Sequence, residues 1–269
     1  MNAPVRNAPV LLREDADDIA VLVLNRPQAR NSLSESLIAA LTASLAEIAA
    51  DKRVRAVVLA ANGPAFSAGH DMKEMTARRS DADRGRAYFK QLMNACAAMM
   101  QAIVHLPKPV IACVQGPASA AGCQLVASCD LAVASQAAAF ATPGVNIGLF
   151  CSTPMVALSR NVPRKHAMEM LLTGDMVGAE EARRIGLVNR VVAPGAERTE
   201  ALTLARQIAS KSALTVKIGK EAFYRQLEMD LAGAYDYTAE VMVENMMARD
   251  AQEGICAFVE KRAPTWEDR

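Results

Sequence analysis

Four short runs almost free of polar side chains punctuate the first half of the chain: IAVLVL at 19–24, VRAVVLA at 54–60, VIACV at 110–114 and LAVA at 131–134. Each is too short for a buried helix and reads as a buried strand. Between them the apolar spacing changes. Leu37, Leu41, Leu45 and Ile48 recur at three to four residues and give an amphipathic helix to about residue 50. A longer helix is expected from about 84 to 105. Alternation of this kind requires an α/β fold. Residues 10–13 and 19–24 read as a hairpin across the acidic turn EDADD, and Ser32 with Glu35 has the spacing of a capping box. One more strand is expected at 187–192, after a short helix over 178–186 that Gly186 stops. From residue 196 the alternation fades into three or four helices rich in Met and Ala. The expected organisation is a flexible arm at 1–9, an α/β core at 10–195 and a helical region at 196–269 suited to association.

Charge and composition exclude several functions. Thirty basic residues nearly balance twenty-nine acidic ones, and aromatic residues make up 4%. No basic run and no stacking platform is present, so no nucleic-acid partner is expected. No apolar run approaches the ~18 residues of a membrane helix, so no membrane partner is expected either. The six cysteines form no CxxC pair and have no histidine at ligand spacing, so they read as reduced, buried thiols and no metal is expected. The start of the chain has no secretory h-region. A cytoplasmic location is expected, with the mitochondrial matrix as the alternative in a eukaryote.

Two loops carry the chemistry. FSAGHD at 66–71 and ASAAGCQ at 118–124 each follow a strand, consist of small residues and lead into a helix. Backbone N–H groups at such turns lack partners. Two of them converging on one point form an oxyanion hole, and small side chains let a carbonyl oxygen approach to about 3 Å. Tight strand–helix packing explains the same composition.

The order of motifs resembles the crotonase superfamily, the enoyl-CoA hydratase/isomerase fold of repeated ββα units. The resemblance runs through LNRPQARNSLS, AFSAGHDMKEM, PKPVIACVQGPASAAGCQLVASCDLAVAS, LTGDMVGAEEARRIGLVNRVV and EGICAFVEKRAPTW. It spans nearly the whole chain, from Val10 to Trp266. It implies an acyl-CoA thioester as partner, with coenzyme A as part of the substrate and no separate cofactor. It implies backbone donors at Ala68 and Ala121 and a CoA-lining segment of Ala68, Gly69, His70, Asp71 and Gly122. Phe258 and Lys261 would close the nucleotide end, in reach of a neighbouring subunit. The implied assembly is a homotrimer or a dimer of trimers.

The sequence departs from the family at two positions. The two catalytic Glu of the hydratases fall on Gln124 and Gly144. Gln124 hydrogen-bonds but takes no proton near pH 7, and Gly144 has no side chain. His70 is the candidate replacement base, although a loop histidine facing the CoA side or solvent is the plainer reading. Asp71 reads as a helix-start residue. Cys151 reads as a packed thiol, with no basic residue near it in sequence. The expected protein therefore binds acyl-CoA and stabilises a thioester enolate but is a poor two-carboxylate hydratase. Decarboxylation, thioester hydrolysis and non-catalytic binding are the alternatives. Returning Glu to positions 124 and 144 together is expected to raise crotonyl-CoA hydration.

Overall fold

The computed structural model describes residues 8–269; most of the arm expected at 1–9 lies outside them. The elements are β1 (Leu11–Ala16), β2 (Ile19–Leu24), α1 (Glu35–Ala50), β3 (Ala56–Ala61), α2 (Met72–Ala77), α3 (Arg86–Val104), β4 (Val110–Val114), β5 (Ala118–Ser119), α4 (Ala121–Ser128), β6 (Leu131–Ser135), β7 (Ala139–Ala141), α5 (Pro154–Asn161), α6 (Arg164–Thr173), β8 (Val177–Gly178), α7 (Ala179–Arg184), β9 (Arg190–Val192), α8 (Glu197–Ala209), α9 (Ala213–Gln226), α10 (Leu231–Met247) and α11 (Arg249–Glu260). No helix among the described residues is long and apolar enough to cross a membrane.

Six strands form one sheet in the order β1-β2-β3-β4-β6-β9. β1 is antiparallel to β2 and every other pair is parallel. The apolar runs follow from that geometry. Successive side chains of a strand point to opposite faces, and both faces here are covered. Ala20, Leu22 and Leu24 of β2 join the core that contains α1, α3 and α4, while Ile19, Val21 and Val23 meet Ala201, Leu204 and Ala205 of α8. The helix α8 therefore shares the sheet's core with elements that precede residue 195. A second sheet, β5-β7-β8, is small. It holds the loop before α4 beside the segment after β7, with Ser119 opposite Ala141.

Three local expectations are corrected. β1 runs on through the acidic residues to Ala16, because the chain reverses at Asp17, whose φ is 59°. The cap of α1 is Ser34, whose Oγ accepts from Leu37 N–H; Ser32 points instead to Asp71. The last strand is only Arg190–Val192.

Helix α9 is tied to the sheet by one buried polar cluster. Lys220 Nζ donates to Asp130 Oδ2 at 2.7 Å and to the carbonyls of Ile103 and Lys108. Tyr224 OH donates to Asp130 Oδ1, and Val110 N–H donates to Asp130 Oδ2. Burial pushes the Lys220 ammonium below its usual range, and Asp130 opposes that shift. Removing one partner of such a pair leaves a charge without compensation. Lys220→Met is expected to lower unfolding free energy by about 3 kcal/mol in urea denaturation; a loss under about 0.5 kcal/mol, the size of a surface effect, would show that the cluster does not anchor α9.

Candidate active site

The two small-residue loops meet face to face. Ser67 pairs with Ala118, Ser119 N–H donates to Ser67 O at 2.8 Å, and Phe66 N–H donates to Pro117 O. Glycine permits the contact at two points. A Cβ on Gly122 would lie 2.2 Å from Ser67 O, inside any allowed separation. A Cβ on Gly69, whose φ is +88°, would lie 3.0 Å from the Ala120 Cβ and 3.2 Å from Ala121 N. Tight packing and close backbone approach are thus the same feature. Gly69 and Gly122 each face the opposite loop.

The arrangement of amides corrects one of the expected donors. Ala68 N–H is engaged, donating to Arg30 O at 3.0 Å. Leu33 N–H bonds Gly69 O and Asp71 N–H bonds Leu33 O, while His70 N–H, between them, has no acceptor in the protein. On the other loop Ala120 N–H donates to Ala141 O. Ala121 opens α4, is fully buried, and its N–H has no acceptor. Ala120, at the cap position, has no side-chain oxygen to supply one. Buried amides without partners are rare. His70 on the first loop and Ala121 on the second are therefore donors without an acceptor, and Gly122 and Cys123 in the same first turn of α4 are also without one. Ala120 adopts φ 50° and ψ −117°, a conformation that costs an L-residue about 1–3 kcal/mol, and it aims the first turn of α4.

The NRPQARN segment builds the support for the first loop. Arg30 and Asn31 both have positive φ. Asn31 Nδ2 donates to the carbonyls of Asn62 and Ala65, and Ser67 Oγ donates to Asn31 O. Arg26 donates to Asp71 Oδ2 at 3.0 Å, and Ser32 Oγ donates to the same oxygen. Asp71 Oδ1 caps α2 by accepting from Lys73 and Glu74 N–H. Burial raises the Asp71 pKa, but Arg26, Ser32 and the two amides outweigh it, so the carboxylate titrates below its usual range. With both oxygens engaged, Asp71 braces the loop and caps the start of α2. Arg26 and Asn31 were not singled out by sequence reasoning. A motif that ends in charged and amide groups beside a positive-φ turn was the available signal.

Apart from the Arg26–Asp71 pair, the side chains at this site include those of His70, Gln124, Thr142 and Cys151. The imidazole Nε2 of His70 is sealed from solvent without a partner, and burial pushes its pKa below the ordinary value. Gln124, one helical turn after Ala121, is buried, and its Oε1 has no partner. Thr142 continues the β5–β7 register beside Ala120; it is fully buried, and its Oγ1 is also without a partner. Cys151 is buried, and desolvation raises its thiol pKa although Gly144 N–H donates to its sulfur. Phe258 and Lys261 lie at the exposed end of α11, which packs on α9 and α10, and neither side chain bonds either loop. The structure does not bring them to this site within one chain.

Residues 14–269 match the family model described as enoyl-CoA hydratase/isomerase. The chain belongs to that family. Among relatives of the enoyl-CoA hydratase/isomerase family, human enoyl-CoA hydratase domain-containing protein 3, mitochondrial, is 48% identical over 250 residues, which is 93% of this chain and 81% of that one. A probable enoyl-CoA hydratase of Rhizobium meliloti is 37% identical over 260 residues, covering 96% and 98%. The crystal structure of an enoyl-CoA hydratase from Mycobacterium smegmatis superposes with a TM-score of 0.91 at 52% identity, covering 96% of this chain and 99% of that one. That of human enoyl-CoA hydratase domain-containing protein 3 gives 0.91 at 47%, covering 96% and 100%. The crotonase fold expected from the motifs is thereby established.

Position 144 is closed in a way that composition did not reveal. A Cβ on Gly144 would lie 2.8 Å from Leu149 O and 2.9 Å from Cys151 Sγ. The thiol fills the place where a side chain of residue 144 would start. The gain expected from returning both Glu is therefore withdrawn. Gly144→Glu, alone or with Gln124→Glu, is expected to lower thermal stability by about 1–3 kcal/mol of overpacking and to leave crotonyl-CoA hydration unraised. A folded double variant with at least tenfold faster hydration would contradict this reading.

Proposed function

We propose that the protein binds acyl-CoA thioesters and holds the thioester oxygen between the N–H groups of His70 and Ala121, stabilising an enolate. The single observation that carries the proposal is the pair of acceptor-less amides on two loops locked together at Gly69 and Gly122. Preorganised donors of this kind stabilise negative charge as it develops on the oxygen, and losing one costs about 3 kcal/mol. Three buried polar atoms without partners, on His70, Gln124 and Thr142, support a ligand at the same place.

The reaction is not the two-carboxylate hydration. Its proton transfers need groups that ionise near neutrality, each worth about 10²–10⁴-fold. Gln124 does not ionise, residue 144 carries no side chain, and burial lowers the His70 pKa, which weakens it as a base, and raises that of Cys151, which disfavours its thiolate.

This neutrality favours decarboxylation as the second reading. A thioester with a carboxylate on Cα breaks its Cα–CO₂ bond, the bonding pair moves into the enolate held by the two amides, and CO₂ leaves. The enolate then takes one proton at Cα from solvent. No protein base is required. A non-catalytic acyl-CoA-binding role uses the same amides without turnover.

Phe258, Val259, Tyr235, Met242 and Met247 leave a broad apolar surface on α10 and α11. Exposed patches of this size support association. A homotrimer or dimer of trimers would cover the surface and carry Phe258 and Lys261 toward the CoA of a neighbouring subunit. The human and rat enoyl-CoA hydratase domain-containing protein 3 relatives are named as mitochondrial, which supports the matrix as the compartment in a eukaryotic setting.

A panel of enoyl-, malonyl-type and saturated acyl-CoA thioesters, read for binding, hydration and CO₂ release, tests the proposal. Thioesters are expected to bind, with hydration of crotonyl-CoA at least about 100-fold slower than by a relative that keeps both Glu. Failure of every thioester to bind would refute the proposal. CO₂ release would select the second reading.

A further inference from the structure

Helix α11 has almost no apolar anchor of its own. Its three buried residues are Asp250, Glu253 and Ala257, and its half-buried ones, Ala251 and Gly254, are small. Its large apolar side chains turn outward, with Phe258 84% and Val259 73% exposed. A surface helix ordinarily docks the other way round, through an apolar stripe with its charges outward. The side of α11 that meets the protein is acidic and small, so it cannot hold the helix by hydrocarbon contact alone.

The segment after α11 supplies the attachment. It turns back along the helix and binds both acidic residues. Arg262 donates to the two oxygens of Glu253 at 2.6 and 3.0 Å, and Thr265 N–H donates to Glu253 at 2.9 Å. Glu267 and Asp268 N–H donate to Asp250 at 2.8 and 3.0 Å. The indole of Trp266 lies on Gly254, where a Cβ would come within 3.2 Å of the ring, and it gives α11 the hydrocarbon that its own face lacks. The same segment then binds the body, meaning the sheet and the helices before α10. Trp266 Nε1 donates to Ser210 O at 2.9 Å, just after α8. Asp268 takes Arg55, just before β3, in a two-point pairing at 2.8 and 3.2 Å, and accepts from Ala213 N–H at 2.7 Å in the first turn of α9. Arg55 is itself fixed by donating to the carbonyls of Ala209 and Lys211. Among the described residues, the only polar side-chain contact that α11 makes directly with this body is Ser212 Oγ on Asp250.

We propose that residues 262–268 are a strap that holds α11 on the body, fixes where Phe258 and Lys261 stand, and opens together with α11 as one unit while the sheet stays folded. The strap's links to the body are few and half-buried, whereas β2, β3 and β4 are buried along nearly their whole length. Segments with few buried apolar contacts open at lower free energy than core strands. The strap stands independently of the acyl-CoA reading, since each contact in it lies within this chain.

The test is amide hydrogen exchange, read by mass spectrometry on the full-length wild-type protein and on Asp268→Ala and Trp266→Ala. In the wild type, residues 249–268 are expected to exchange through a common opening at least about tenfold more often than β2, β3 and β4. In both variants that segment is expected to exchange at least about tenfold faster again, while the strands stay within about twofold of the wild type. The chain has one tryptophan, so acrylamide quenching of Trp266 fluorescence reads the strap directly and is expected to rise in Asp268→Ala. Wild-type α11 protected to the same degree as the strands would overturn the proposal, and that result needs no variant. Unchanged exchange of α11 in either variant would overturn it too, because the strap would then not be what holds the helix. Strands that lose protection together with α11 would do the same, since the loss would be one of overall stability.

Discussion

The contact of Gly122 with the Ser67 carbonyl is the constraint on which the site depends. A methyl group there would lie 2.2 Å from that oxygen, so the loops meet only if residue 122 has no side chain. Their meeting fixes the rest. It sets Gly69, the neighbour of His70, against the backbone at 119–121 and goes with an Ala120 conformation unfavourable to an L-residue. The sheet supplies the platform. Parallel strands buried on both faces end at these two loops, and the NRPQARN segment braces the first loop through Asn31 and the Arg26–Asp71 pair.

Much of this was legible in the residues. Runs such as IAVLVL and VIACV become strands at the expected positions because both faces of the sheet are covered. The two small-residue loops stand out as a pair from their composition and their place after strands, whereas Ala121 as a donor comes from the family resemblance. The errors have a common cause in backbone detail. Ala68 was a reasonable donor until the positive-φ turn at Arg30 and Asn31 turned the Arg30 carbonyl toward its N–H and left His70 free. Ser32 has the spacing of a cap, yet Asp71 competes for it across thirty-nine residues of sequence. The closure of position 144 by Cys151 depends on how residues 144–151 fold back on themselves, with Leu149 N–H bonding Gly144 O. No local pattern encodes that return.

The chemistry that emerges is asymmetric. On the proposed reading the donors for negative charge on a thioester oxygen are backbone amides, which substitution does not easily remove. The two positions at which the resemblance implies Glu hold an amide and a glycine, with a buried thiol against the glycine. Membership of the enoyl-CoA hydratase/isomerase family fixes the fold; the reaction follows from the site. A site with these groups suits reactions whose substrate brings its own leaving charge, or binding without turnover.

The vibrational spectrum of a bound thioester tests the central claim most directly. With a carbon-13 label at the thioester carbonyl, difference infrared spectroscopy reads that one bond on the intact protein. Two hydrogen bonds from His70 and Ala121 N–H polarise it, so the account predicts a clear shift of the carbonyl stretch to lower wavenumber on binding. A bound thioester whose carbonyl absorbs where it does in water, or at higher wavenumber, would contradict it.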